Sequence, residues 1–266
     1  MRRIKILVLA MAVAMIPATA ALGQSDEGQV IVVHGVPELD VDIYVNGDLT
    51  LEGFQYGEVA GPLALPAGSY DLEVYAAGSD PEAGDPALSG STDLPAGAVA
   101  TIAAYLQEGG SPTLGVFVEN TSAIDAGNAR ISAYHLADFG AVDVLANDGA
   151  VFEGVTNGNG GNTDVPADTY NVKITAAGDA STVAFDQDLA LAEGVNTIAY
   201  AVGSVADGNF AVVTAAISDL GTAPEGVPTG DAGLRADAGI IVPVALAGLA
   251  MLALGGGTYA LARREN

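Results

Sequence analysis

The sequence predicts an all-β protein: two tandem immunoglobulin-like antiparallel β-sandwiches, with one C-terminal transmembrane helix. Three observations carry this. Apolar segments are short, rich in β-branched residues and often alternating, which is the strand signature. Turn residues punctuate them at roughly 8–12-residue intervals, as in two packed antiparallel sheets with about seven or eight strands per copy. One long stretch also occurs twice: Leu65-Pro66-Ala67-Gly68-Ser69-Tyr70-Asp71-Leu72-Glu73-Val74 returns as Val165-Pro166-Ala167-Asp168-Thr169-Tyr170-Asn171-Val172-Lys173-Ile174.

The repeat extends upstream, where Val33-His34 and Val41-Asp42 recur as Tyr134-His135 and Val142-Asp143 with the same spacing. A unit of roughly 90–100 residues is a whole domain rather than a solenoid repeat, and it is large enough to bury a core of its own. The expected organisation is a signal peptide at 1–23, sandwiches at 24–120 and 128–218, and a linker at 121–127. A stalk (219–238), a membrane helix (239–262) and a cytoplasmic tail (263–266) follow.

Each element has a local reason. Arg2, Arg3 and Lys5 precede the apolar run Ile6 to Ile16, then Pro17 and small residues lead to Gly23, the pattern of a cleaved secretory signal. Val30 to Val33 is continuously apolar, as in a strand covered on both faces. Along Val41-Asp42-Ile43-Tyr44-Val45-Asn46, the residues Val41, Ile43 and Val45 share one face. Asn46-Gly47 then marks a type I′ hairpin, whose counterpart is expected at Asp148-Gly149. Pro66 and Pro166 sit just before strands whose inward faces are Tyr70, Leu72, Val74 and Tyr170, Val172, Ile174. Further strands are expected at Val99–Leu106, Thr113–Val118, Thr182–Phe185, Asn196–Val202 and Phe210–Ile217. Asn157-Gly158-Asn159-Gly160-Gly161-Asn162 reads as a mobile turn, because no helix or lysine follows it to hold a phosphate.

Ser218 to Ala238, rich in Gly, Pro and acid, reads as a flexible stalk. Gly239 to Ala262 carries no charge and is long enough to cross a hydrocarbon core of roughly 30 Å. Arg263-Arg264 mark its cytoplasmic side, which makes the protein a single-pass type I membrane protein with both sandwiches extracellular. Val227-Pro228-Thr229-Gly230 is similar to a cell-wall sorting motif, and the alternative is covalent attachment to the wall after the tail is cut.

Charge and composition exclude several classes. The chain has 8 Lys and Arg against 33 Asp and Glu, and only Arg130, Lys173 and Arg235 fall between the signal and the membrane helix. So acidic a surface repels nucleic acid and anionic headgroups. Solubility explains the acidity as a solvated face, and calcium is the one cofactor it admits. The absence of cysteine excludes thiol catalysis and zinc–thiolate sites, and no G-x-S-x-G nucleophile elbow is present.

Val32-Val33-His34, Val41-Asp42-Ile43-Tyr44-Val45-Asn46-Gly47 and Leu65-Pro66-Ala67-Gly68-Ser69-Tyr70 together resemble the DUF4397 family of bacterial and archaeal envelope proteins. The resemblance covers both copies and implies tandem modules behind a signal peptide, without an established activity. The second copy departs from the family pattern at Leu136-Ala137-Asp138-Phe139 and at Leu145.

The candidate chemical groups are few. His34 and His135 are the only histidines and occupy equivalent strand ends, so each reads as a residue that fixes a loop, with Asp42 and Asp143 as repeat-equivalent companions. Tyr70 and Tyr170 form a third structural pair. Asp40 with Asp42, and the loop residues Asp80, Glu82 and Asp85, are weak calcium candidates. Asn120-Thr121-Ser122 is a glycosylation sequon. No catalytic set converges, so the expectation is a non-catalytic surface protein for adhesion or for binding an extracellular protein or glycan. A structural spacer with a hydrated acidic face is the alternative, and a hydrolase is a distant third. Exposed aromatics on loops, such as Phe54 and Tyr56, would favour binding over spacing.

Overall fold

The computed structural model describes residues 26–222. The signal peptide, the stalk beyond 222, the membrane helix and the tail expected from the sequence lie outside the described residues. Among the described residues all regular structure is β, and no helix is long and apolar enough to cross a membrane.

The first copy supplies β1 (Glu27–His34), β2 (Val41–Val45), β3 (Asp48–Phe54), β4 (Val59–Pro66), β5 (Gly68–Ala76), β6 (Leu88–Leu94), β7 (Val99–Leu106) and β8 (Pro112–Val118). The second supplies β9 (Asn128–Asp138), β10 (Val142–Ala146), β11 (Gly149–Val155), β12 (Asn159–Pro166), β13 (Thr169–Ala176), β14 (Asp179–Ala190), β15 (Asn196–Ser204) and β16 (Ala211–Ile217). They form four sheets, β4-β1-β7-β8 and β3-β2-β5-β6, then β12-β9-β15-β16 and β11-β10-β13-β14. The second copy thus repeats the strand order of the first.

That order corrects the immunoglobulin-like expectation. In an immunoglobulin sandwich the first two strands are neighbours in one sheet. Here β1 pairs with β4 and, in parallel, with β7, while β2 pairs with β3 and β5. The two strands differ in pattern, and the pattern decides their sheet. β1 is apolar on both faces and takes a sheet covered on both sides; β2 alternates and takes a sheet with one wet face.

The covering of β1 comes from both copies. Val30 and Val32 pack on Ile43, Leu72 and Val74 of the first copy's outer sheet. Ile31 and Val33, pointing the other way, pack with Leu136, Ile198, Tyr200 and Val202 of the second copy. The described residues therefore stack as outer, inner, inner and outer sheets, and they fall within one compact unit. Ile31, Ile198, Tyr200 and Val202 are fully buried in this seam, and such side chains contribute about 2 kcal/mol each.

The segment between the copies is held down. Ile124 is fully buried and bridges Gly221, with Thr222 N–H donating to the Ile124 carbonyl at 2.9 Å. The Arg130 guanidinium donates to the carbonyls of Asn120 and Ser122. These residues and the exit at Thr222 lie where β9 and β15 begin. At the far end, about 30 Å along β15, Gly203 N–H donates to the Gly35 carbonyl at the end of β1.

The first hairpin turns at Asn46-Gly47, with φ of 53° and 82°, as the sequence predicts. Its counterpart turns at Asn147-Asp148, with φ of 50° and 64°, so Gly149 already belongs to β11. The reason is a repeated clamp: the Asn46 carboxamide oxygen accepts the Asp71 N–H, and that of Asn147 accepts the Asn171 N–H. Asparagine and aspartate tolerate the left-handed region, so no glycine is needed there.

Candidate functional site

His34 ends β1 and His135 lies near the end of β9, both almost fully buried. The His34 Nε2–H donates to the Leu39 carbonyl at 2.6 Å, and the His135 Nε2–H is shared between the carbonyls of Phe139 and Gly140 at 3.1 and 3.0 Å. Both Nδ1 atoms are buried without a partner. Burial lowers both pKa values, overriding the carbonyls that favour the charged form. Each is a neutral ring that ties a strand to the following loop, with no nucleophile placed on it.

Asp42 and Asp143 are the second pair. One oxygen of Asp42 accepts the Gly53 N–H at 2.7 Å and the other the Gly78 N–H at 2.8 Å. Asp143 does the same with Gly154 and Gly178 at 2.7 and 2.9 Å. The four glycines have φ between 60° and 75°. Gly53 and Gly154 lie where β3 and β11 carry an extra residue opposite the aspartate, so each carboxylate closes a β-bulge and pins the next hairpin. The N–H groups of Gly178 and Gly154 hold the Asp143 carboxyl below its usual range. The Tyr70 and Tyr170 hydroxyls donate to the carbonyls of Pro66 and Pro166, completing a set of backbone clamps present in both copies.

The calcium candidates are not brought together. Asp40 is exposed, while its companion Asp42 spends both oxygens on backbone amides. Asp80, Glu82 and Asp85 stay on an exposed loop, where Asp80 accepts the Glu82 N–H. Among the described residues no group of three or more His, Asp or Glu side chains is arranged to hold a metal ion. The Asn120 carboxamide of the sequon is engaged on both sides, donating to Asn162 and accepting the Ser122 N–H.

The two aromatics whose exposure would favour binding over spacing are packed. Phe54 is buried in the first core, and half-buried Tyr56 donates its hydroxyl to the Asn209 carbonyl of the other copy. The glycine-rich stretch is no mobile turn either, for it opens β12. A Cβ on Gly160 would meet the Tyr134 ring at 2.4 Å, and Asn157 Nδ2 donates to Leu106 of the first copy and to Ala137.

Two features had no sequence signal. One is a groove of about 490 Å³ where loops of both copies meet, lined by Val36, Pro37, Glu38, Leu106, Asp207 and Asn209 among others. Glu38 there has a φ of 64°, a left-handed backbone unusual for a non-glycine residue. The other is a buried polar cluster at the opposite end of the seam. Glu119 is 5% exposed and accepts hydrogen bonds from Thr101 Oγ1 at 2.6 Å and from the Tyr134 hydroxyl at 3.2 Å. The Tyr200 hydroxyl lies 2.7 Å from Thr101 Oγ1. Burial raises the Glu119 pKa against the pull of its two donors, and raises those of Tyr134 and Tyr200 as well.

Sheets, clamps and groove together define a β-sandwich protein whose conspicuous polar side chains serve the backbone. The model of the family described as Domain of unknown function (DUF4397) matches residues 28–145, from β1 through the first copy and into β10. No curated protein matches the chain.

Proposed function

We propose that this is a non-catalytic cell-surface protein, exported by its N-terminal signal and held by Gly239–Ala262 as a single-pass type I membrane protein. It displays two DUF4397-like modules, fused through their inner sheets, for adhesion or ligand contact. The observation that carries this reading is the groove of about 490 Å³, built from loops of both copies at the end remote from Thr222. A tether beginning beyond Thr222 leaves that end free for a partner, either an extracellular protein or a glycan. The non-catalytic part rests on His34, His135, Asp42 and Asp143, all committed to backbone groups.

The packed state of Phe54 and Tyr56 favours the second reading, a rigid acidic spacer in the envelope. Full-length protein in detergent, screened on glycan and extracellular-protein arrays, separates the two. Saturable binding lost in Glu38→Lys or Asp207→Lys supports a ligand at the groove, whereas no binding supports the spacer. Turnover of an esterase, glycosidase or peptidase substrate that disappears in His34→Ala would overturn the non-catalytic reading. Protease shaving of intact cells tests the topology, and sandwiches spared by it would refute the extracellular placement.

A further inference from the structure

We propose that the seam between the two copies is a proton-set clamp, closed more tightly when the Glu119 carboxylate takes a proton. The geometry shows why the ionised group is poorly served. Glu119 lies just beyond β8, at one end of the seam, and is 5% exposed. Its donors are two neutral hydroxyls, Thr101 from β7 of its own copy and Tyr134 from β9 of the other. Tyr200 from β15 completes a relay: its hydroxyl donates to Thr101, which donates to the carboxylate. A buried carboxylate costs least with a cation beside it or several backbone amides on it. Glu119 has neither.

The charged groups nearby are spoken for. Arg130 on β9 pairs bidentately with Asp164 on β12, at 2.7 and 2.9 Å, and caps the carbonyls of Asn120 and Ser122. Lys173, the other Lys or Arg among the described residues, pairs with Asp148 in the outer sheet. His34 sits at the far end of β1, and His135, although it follows Tyr134, points to the opposite face of β9, where its ring bonds the Phe139 and Gly140 carbonyls. The titratable groups facing the carboxylate are therefore the Tyr134 and Tyr200 hydroxyls, which remain neutral.

On acidification a proton from solvent binds one carboxylate oxygen, and the neutral acid keeps its hydrogen bonds because Tyr134 and Thr101 either donate or accept. The folded state then binds the proton more strongly than the unfolded chain. Stability gained this way is full below the ordinary glutamate range and falls as pH rises through the raised value. The apolar counterpart marks the cluster as a special feature. Pairing β1 with β7 and β9 with β15 in equivalent register sets Ile198 where the first copy has Thr101, so the polar contact occurs on one side of the seam only.

The test uses the full chain in detergent at two pH values. Carboxyl-carbon NMR of glutamate-labelled protein should show Glu119 titrating above free glutamate, and Thr101→Val should move it further up. Amide exchange at Ile31, Ala103 and Ile198, taken as a ratio to the Glu119→Gln protein at the same pH so that the contribution of the two histidines cancels, should be about tenfold faster at pH 7.5 and equal at pH 5. A wild-type carboxyl that titrates at or below free glutamate would overturn the proposal without recourse to any variant. So would a ratio of wild-type to Glu119→Gln exchange that is the same at both pH values.

Discussion

The two copies share their clamps and differ in their cores. His34, Asp42, Asn46 and Tyr70 bond the same backbone positions as His135, Asp143, Asn147 and Tyr170. Between the sheets the copies diverge. Val32 and Ile102 of the first inner sheet face Leu51 and Leu88, whereas the second copy places Ala133 and Ala199 there and fills the space with Phe152 and Phe185. The pairing register makes these positions equivalent. A core needs only matched volume and apolarity, so it drifts. A bulge or left-handed turn needs one acceptor in one place, so the residue that supplies it stays. In this chain, recurrence between copies marks backbone architecture rather than chemistry.

Acid should test that statement most severely, because it acts on both copies at once. The folded-state pKa values of His34 and His135 are lowered, so their stabilising effect is complete above the ordinary histidine value of about 6.5. It is lost as pH falls from there towards the depressed values, since the unfolded chain takes up protons first. Exchange of the amides at Glu38–Leu39 and Phe139–Gly140 should accelerate together over that range. A loop that stays protected while its partner opens would break the equivalence of the two histidines.

Removing a carboxylate clamp comes next. Asp42→Ala strands two backbone N–H groups at a nearly buried site and should cost roughly 3 kcal/mol, read from denaturant midpoints at constant slope. Asp143→Ala removes the same bonds at a wetter site, so water replaces more of them and the loss should be smaller. Equal losses would show that exposure does not set the difference. The struts across the seam rank below this. Tyr56 and Asn157 are equivalent residues, each reaching from its own turn to the other copy. Asn157→Ala frees two carbonyls and should cost about 1–2 kcal/mol, and Tyr56→Phe, which frees one, about 1 kcal/mol.

The sequence made the strands and clamps legible because both are local. Alternation in Val41-Asp42-Ile43 and the Asn46-Gly47 pair are written in consecutive residues. The continuous run at Val30–Val33 even announced a strand covered on both faces. What covers the second face depends on contacts a hundred residues away, and no local pattern names them. Glu119 has the same difficulty. It follows a strand and precedes a polar linker, where a glutamate is ordinarily wet, and only the approach of β9 and β15 buries it. Glycines at 160 and 161 read as slack, yet a Cβ at 160 would run into the Tyr134 ring and the Ala133 carbonyl, and one at 161 would press on the Phe152 ring.

The cores themselves offer the mildest test. The first copy retains an apolar cavity of about 50 Å³, lined by Thr92, Leu51 and Tyr70 among others. At the position of Thr92, opposite the repeated tyrosine, the second copy carries Leu189. Thr92→Leu therefore gives the first copy the second copy's solution at one point. At about 24 cal/mol per Å³ of cavity, filling it is worth about 1 kcal/mol. The reverse change, Leu189→Thr, should cost a similar amount, because it opens space and sets a hydroxyl among the apolar side chains that Leu189 packs against. Thermal unfolding of the two variants measures both. If Thr92→Leu destabilises, the space between the first copy's sheets is already matched to its smaller side chains, and the two cores are separate solutions rather than interchangeable ones.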